Sequence, residues 1–277
     1  MRLGIFAKTF AATGALPSLS AVRDAGYDVA QFNMAVLGGP PMPDAIAPEV
    51  CAEIADASRD TGVAIAAVSG TYNMIHPDPA ERAAGFARLT TLLRAAPLVG
   101  TRLVTLCTGT RHPTDQWAHH ADNASPAAWR DLLTEMGKAV EVAEQCGIDL
   151  GVEPEMANVV SSAALARRLI DTMRSPRIRI VLDPANLFEQ ASPAEARRLV
   201  EHAVDLLSDR IVMAHAKDRR ADGAFATAGR GIVDFRHLVR MLRAAGFDGP
   251  LVTHGLSEAE APQVAAFLRG VLAEAAA

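Results

Sequence analysis

A chain of 277 residues with half of them hydrophobic can bury one large core, and it falls in the size range of a single α/β barrel. A formal net charge of −5 with no Lys/Arg run argues against nucleic acid as the main partner. Three widely separated cysteines, Cys51, Cys107 and Cys146, form no disulfide framework and suit a reducing compartment. The opening segment meets Arg2 and Lys8 too early for a signal peptide, and no run approaches the ~20 apolar residues of a membrane helix. The expectation is a soluble, cytoplasmic protein with no membrane partner.

The first strand is predicted over Leu3–Ala7. A helix follows, capped by Ser18 or Ser20 and ending near Gly26. Val29–Phe32 reads as a second strand, and the Gly38–Pro43 segment as loop. Pro48–Asp60 is helix, stopped by Gly62; Val63–Val68 is the third strand, opening into the loop Ser69–Pro77. Asp78 and Pro79 start a helix to about Ala96, and Leu103–Cys107 is the fourth strand. The polar segment Thr108–Asn123 is too long for a simple connector and reads as a functional or mobile loop holding Arg111, His112 and Trp117. Ser125 and Pro126 open a long helix ending at Gly147. The second half repeats more regularly. Strands at 148–152, 178–182, 210–214 and 250–253 precede helices at 161–174, 193–207, 234–245 and from Ser257, with a polar loop from Lys217 to Gly231. Eight strands alternating with eight helices predict a parallel sheet closed into a (β/α)8 TIM barrel, as one domain spanning 1–277. An open doubly wound sheet would carry a glycine-rich turn after the first strand, and Lys8-Thr9-Phe10-Ala11 is not one.

Four strands end on side chains able to bind metal. The apolar run Ile178–Leu182 stops at Asp183-Pro184, because proline cannot extend a sheet ladder. Ile148–Val152 ends in Glu153-Pro154, the strand at 210–214 in His215, and that at 250–253 in His254. The intervals are 30, 32 and 39 residues, against about 31 per strand-helix unit in a barrel of this kind. The carboxyl ends of barrel strands face the active-site mouth, so Glu153, Asp183, His215 and His254 fall in register at that mouth. Two carboxylates and two imidazoles suit a divalent metal ion such as Mn, Co, Fe or Zn better than Mg. A metal beside a hydroxyketone polarises its carbonyl, and a neighbouring carboxylate can take the α-proton. Glu153 is the candidate base, Glu155 a reserve acid/base, and His254 a group that could return a proton.

The segments Gly151-Val152-Glu153-Pro154-Glu155, Leu182-Asp183-Pro184-Ala185-Asn186, His215-Ala216-Lys217-Asp218 and Gly246-Phe247-Asp248-Gly249-Pro250-Leu251 resemble those of the sugar phosphate isomerase/epimerase family, within the xylose-isomerase-like barrel superfamily. The likeness spans nearly the whole chain. It implies a metal held by Glu, Asp, His and a final Glu. The first three fall on Glu153, Asp183 and His215, while the last falls on His254, a departure from the family pattern. The resemblance implies an isomerase or epimerase of a small sugar or polyol ketone working through an enediolate, and a homo-oligomer. A dehydratase of inosose or dehydroshikimate type is the alternative on the same scaffold. A non-catalytic sugar-binding barrel is another. Apurinic endonucleases share the barrel, but the acidic balance and the Asp183–Asn186 segment argue against that chemistry.

Further candidates for substrate contact are Lys217, two residues after His215, which binds an anionic group or pairs with Asp218; Asn186, which binds substrate or caps a helix; Arg230, between Gly229 and Gly231; and Tyr72 and His76, on the loop after the third strand. Cys107 reads as a small buried residue.

Overall fold

The computed structural model, described over residues 1–275, closes eight parallel strands into a barrel. In chain order the strands are β1 (Leu3–Phe6), β2 (Val29–Phe32), β3 (Ala64–Ser69), β4 (Leu103–Leu106), β5 (Asp149–Val152), β6 (Ile178–Leu182) and β7 (Ile211–Ala216). A short antiparallel pair, β8 (Asp218–Arg219) and β9 (Phe225–Ala226), precedes β10 (Leu251–Thr253). The barrel order is β1-β10-β7-β6-β5-β4-β3-β2, with β10 closing between β7 and β1. This is a TIM barrel.

Among the described residues eight α-helices surround it: α1 (Ala15–Asp24), α2 (Pro48–Thr61), α3 (Pro79–Ala95), α4 (Pro126–Cys146), α5 (Ala163–Met173), α6 (Pro193–Leu207), α7 (Phe235–Ala244) and α8 (Ala261–Glu274). Their starts follow local capping chemistry. Asp78, Ser125, Ser162, Ser192 and Asp234 each accept a hydrogen bond from a first-turn backbone N–H. The first helix differs from expectation. It begins at Ala15 behind Gly14, and Ser18 donates to the carbonyl of Ala12 from inside the helix, so neither Ser18 nor Ser20 is its cap.

Apolar side chains fill two spaces. Ala67, Leu103, Val181, Met213 and Val252 form a small cluster of their own within the barrel, with Phe6 against it. Gly151 makes room there, since a Cβ would lie 2.9 Å from Val181 and 3.0 Å from Leu103. The larger cluster joins strands to helices, and each fully buried Leu, Ile or Val in it contributes about 1.5–3 kcal/mol.

The segment after β7 is more ordered than a polar loop. Asp218 is fully buried and its carboxylate accepts from the backbone N–H groups of Arg219, Gly229, Gly231 and Val233. A Cβ on Gly231 would sit 2.2 Å from Asp218 Oδ1, so only glycine permits this wrap. The Lys217–Asp218 pair offered as one alternative by the sequence is not formed. Asp218 ties down the loop, and Lys217 turns to the barrel mouth.

Candidate metal and active site

Glu153 directly follows β5, Asp183 follows β6, His215 lies near the end of β7, and His254 follows β10. Register pairs Leu182 with Ala214 and Val252 with His215, which brings these ends to one rim. One donor atom from each of the four lies within 4.8 Å of the others.

Asp183 is fully buried at the proline-terminated strand end. Its Oδ1 accepts from the N–H of Ala185 at 2.9 Å, which leaves Oδ2 for the site. His254 Nε2 stands 3.2 Å from that oxygen, and Lys217 Nζ 3.1 Å from it. Glu153 Oε1 accepts from Asn186 Nδ2 at 2.7 Å, and Asn186 Oδ1 accepts from Lys217 Nζ at 2.6 Å. Asn186 thus joins the two strand ends through a side-chain chain of hydrogen bonds. Phe6, at the end of β1, stacks on the His254 ring at 4.5 Å and 15°, and meets His215 edge-on.

Gln31 decides the tautomer of His215. Its amide nitrogen donates to Ser69 Oγ at 3.1 Å and Thr105 Oγ1 at 3.2 Å, so its oxygen faces His215. His215 Nε2–H donates to that oxygen at 3.0 Å. Nδ1 then carries a lone pair, 3.4 Å from Glu153 Oε1 and 3.8 Å from Asp183 Oδ2. A lone pair facing two carboxylate oxygens is repulsive unless a proton or a cation lies among them. The donor set therefore fits a divalent cation, with Gln31 as the outer partner that orients a histidine ligand.

The electrostatics follow from burial and neighbours. For Asp183, burial works to raise the pKa, but the Lys217 ammonium and the His254 contact outweigh it and hold the carboxyl well below its usual range. Lys217 is raised for the reciprocal reason, against its own desolvation. Burial first, then the charges of Glu153 and Asp183, push Glu155 up to about 7 against the opposing pull of Lys217 and Arg219. Burial lowers His254 below the ordinary histidine value. Burial likewise pushes the Cys107 thiol up to about 12; it donates to the Tyr72 carbonyl and is no nucleophile at neutral pH.

Glu153 and His254 border a cleft of about 500 Å³ that also takes in Glu155, Asn186 and Lys217, while Asp183 and His215 lie fully buried behind its wall. Other sequence candidates lie elsewhere. Tyr72 is buried against Gly85 of α3, and with His76 it lines a cavity of about 420 Å³ that meets the cleft only at Gln116 and Trp117. His76 is engaged with Pro113 and the N–H of Asp78. Arg230 lines a third depression beside Gln263 and Phe267. Arg111 is committed to Asp131 and the Ile75 carbonyl, whereas Trp117 reaches the cleft. Glu258 and Glu260, on the segment after His254, accept from the N–H groups of Ala11 and Ser257. Sequence reasoning passed over Gln31 and Phe6. For Gln31 the available signal was a lone amide inside the buried strand Val29–Phe32.

Residues 19–271 match the family model described as xylose isomerase-like TIM barrel. No curated protein matches the sequence. Among solved structures, the chain is similar to 3-keto-D-glucoside 4-epimerase from E. coli, with 19% identity and a TM-score of 0.77 over 98% of this chain and 99% of that one. It is also similar to L-ribulose 3-epimerase, at 20% identity and TM-score 0.75 over 99% of this chain and 95% of that one. A xylose isomerase-like barrel protein from Mycobacterium smegmatis, solved in complex with magnesium, aligns at 18% identity and TM-score 0.68 over 94% and 88% of the two chains. At these identities the structural likeness is one of fold. The family match covers most of the chain, and the protein belongs to the xylose isomerase-like TIM barrel family.

Proposed function

We propose that the protein is a divalent-metal-dependent isomerase or epimerase of a small sugar-like hydroxyketone, working through an enediolate. The observation that carries this reading is the convergence of Glu153, Asp183, His215 and His254 within 4.8 Å at the mouth of a barrel whose structural neighbours include sugar epimerases. These four residues would hold the ion, which when bound polarises the substrate carbonyl and stabilises the developing negative charge. Two nitrogen donors favour a later first-row ion over the magnesium held by one neighbour.

The chain's own groups supply the rest. Glu153, held by the Asn186 amide, would take the α-proton. Lys217 brings a buried ammonium to the same wall, where it offsets negative charge on substrate oxygens. Glu155, on the cleft wall, is a second carboxyl that can return the proton. The dehydratase alternative differs in the fate of the same carbanion, which would expel a β-hydroxyl.

Incubation of ketopentoses and ketohexoses with the metal-supplemented protein in deuterated water separates these outcomes. Isomerisation gives products whose mass differs from the substrate's only by exchanged deuterium, and dehydration gives products lighter by one water. Glu153→Gln should keep the fold and lower turnover by at least about 100-fold. Near-normal turnover in that variant, or undiminished activity after verified removal of metal, would overturn the assignment.

A further inference from the structure

A second cavity of about 540 Å³ adjoins the cleft over the four donors. The two share Trp117, Glu155 and Phe225 on their walls, so they lie side by side along that part of the rim. The second lobe continues over the segment after β5, where Met156, Ala157 and Ser161 line it, and ends against Arg219. None of the four metal donors borders it, and the proton transfers proposed above use the central lobe alone. A free ketose needs only the central lobe, whose volume already lies in the range that encloses a small ligand.

The shared wall is built from exposed aromatic rings. Trp117 is 57% and Phe225 54% exposed, and the other large exposed hydrophobics among the described residues, Leu16, Leu98 and Leu199, border neither lobe. A lone exposed apolar residue carries no message, but two aromatics on the wall shared by two adjacent cavities mark a ligand surface. Both are held in place. The Phe225 ring carries the Arg219 guanidinium at 4.0 Å and the Lys217 ammonium at 4.2 Å from its centroid. For Trp117 it is the loop that is fixed: its backbone N–H donates to Asp115 Oδ1, and Thr110 Oγ1 donates to the carbonyl of the next residue, Ala118. Arg219 is buried and spends Nε and Nη1 on the carbonyls of Ala185, Glu189 and Gly223, while Nη2 has no hydrogen-bond partner among the described residues.

The chemistry of this lobe is an aromatic platform ringed by polar groups. A pyranose presents a matching surface, with a face of axial C–H bonds to lay on an aromatic ring and hydroxyls at its rim for charged and polar side chains. Glu155 and Glu189 in the same wall disfavour a phosphate, and the polar rim disfavours a purely aliphatic group. We propose that the substrate is a keto sugar carrying a second sugar ring in glycosidic linkage, with the reacting unit in the central lobe and the second ring against Trp117 in the adjoining one. This rests on the isomerase reading above for the identity of the reacting unit.

The test is calorimetric binding of fructose and of three glycosylated fructoses, lactulose, isomaltulose and turanose, to the manganese-supplemented protein. At least one disaccharide should bind about tenfold or more tightly than fructose. That ratio should fall toward one in Trp117→Ala, which removes the platform, and in Ala157→Trp, which fills the lobe. Equal or weaker binding of all three disaccharides overturns the proposal, as does an advantage that survives both variants. Proton exchange from deuterated water, followed on the same sugars, reads the isomerase assignment separately. Exchange on fructose without any disaccharide advantage removes the second-ring subsite and leaves the reaction standing. A disaccharide advantage lost in both variants upholds the subsite even where no exchange occurs.

Discussion

The ammonium of Lys217 lies 3.1 Å from Asp183 Oδ2, the same oxygen that His254 Nε2 approaches at 3.2 Å. Both partners of this ion pair are buried. A cation already stands beside one of the four candidate metal donors, so Lys217 and a divalent ion draw on the same carboxylate.

Lys217→Met tests that competition. Without metal, the variant leaves Asp183 buried beside Glu153 with its charge unpaired, a loss of about 3–5 kcal/mol. In a chain of this length that lowers the melting temperature by roughly 10 °C. Manganese or zinc should then recover more stability in the variant than it adds to the wild type, because the ion takes over the role of the ammonium. Equal stabilisation of the two proteins by metal would show that Lys217 and the ion do not share Asp183.

His254 occupies the place where the resemblance implies a glutamate. We expect its imidazole to bind the metal, so His254→Ala should weaken zinc or cobalt binding by at least about tenfold. His254→Glu should retain a site but shift its preference toward manganese and magnesium, since oxygen suits those ions better. Unaltered metal affinity in His254→Ala would leave the ring as a substrate contact packed on Phe6.

Gln31 touches none of the carboxylates, yet it should matter to the metal. Gln31→Leu removes the acceptor for His215 Nε2–H and the donor to Ser69 and Thr105. Metal affinity should fall about 10–100-fold, as for other partners that orient a histidine ligand. Melting should drop by an amount set by the newly unpaired polar groups, about 1–3 kcal/mol. A variant that melts lower but titrates with metal like the wild type would confine Gln31 to packing.

Asp131 on α4 ties down the start of the long loop that carries Trp117. Its Oδ2 accepts from Arg111 Nη2 at 2.7 Å and Arg82 Nη1 at 3.0 Å. Burial acts to raise its pKa, but the Arg111 hydrogen bond and the charges of Arg111 and Arg82 outweigh it and hold the carboxyl below its usual value. The unfolded chain therefore takes up the proton first. The stabilisation is fully present above the ordinary value of 3.8 and is lost as pH falls through the lower folded value. Asp131→Asn should lose about 1 kcal/mol at pH 7, a figure discounted because the carboxylate is 38% exposed. Urea titrations at neutral pH and in acid should show the gap between variant and wild type closing as the acid limit is approached. A constant gap would mean that charge does not carry the contact.

The alternation of strands and helices, and the four donors at strand ends, were legible in the sequence because both are local. A β-branched run that stops at Asp183-Pro184 or Glu153-Pro154 announces where a strand ends, and strand ends in a parallel barrel share one rim. The partners of those donors were not legible. Gln31 meets Ser69, Thr105 and His215 across separations of 38, 74 and 184 residues, and no spacing rule reaches that far. Lys217 and Asp218 are neighbours that offered each other an ion pair, but barrel closure gives the first to Asp183 and the second to the backbone of its own loop. Tyr72 follows β3 toward the rim, and the absence of a side chain at Gly85 draws its ring against α3 instead. Where an apolar run stops sets which side chains sit at a strand end; the partners they meet depend on which distant strands close beside them, and only the closed barrel decides that.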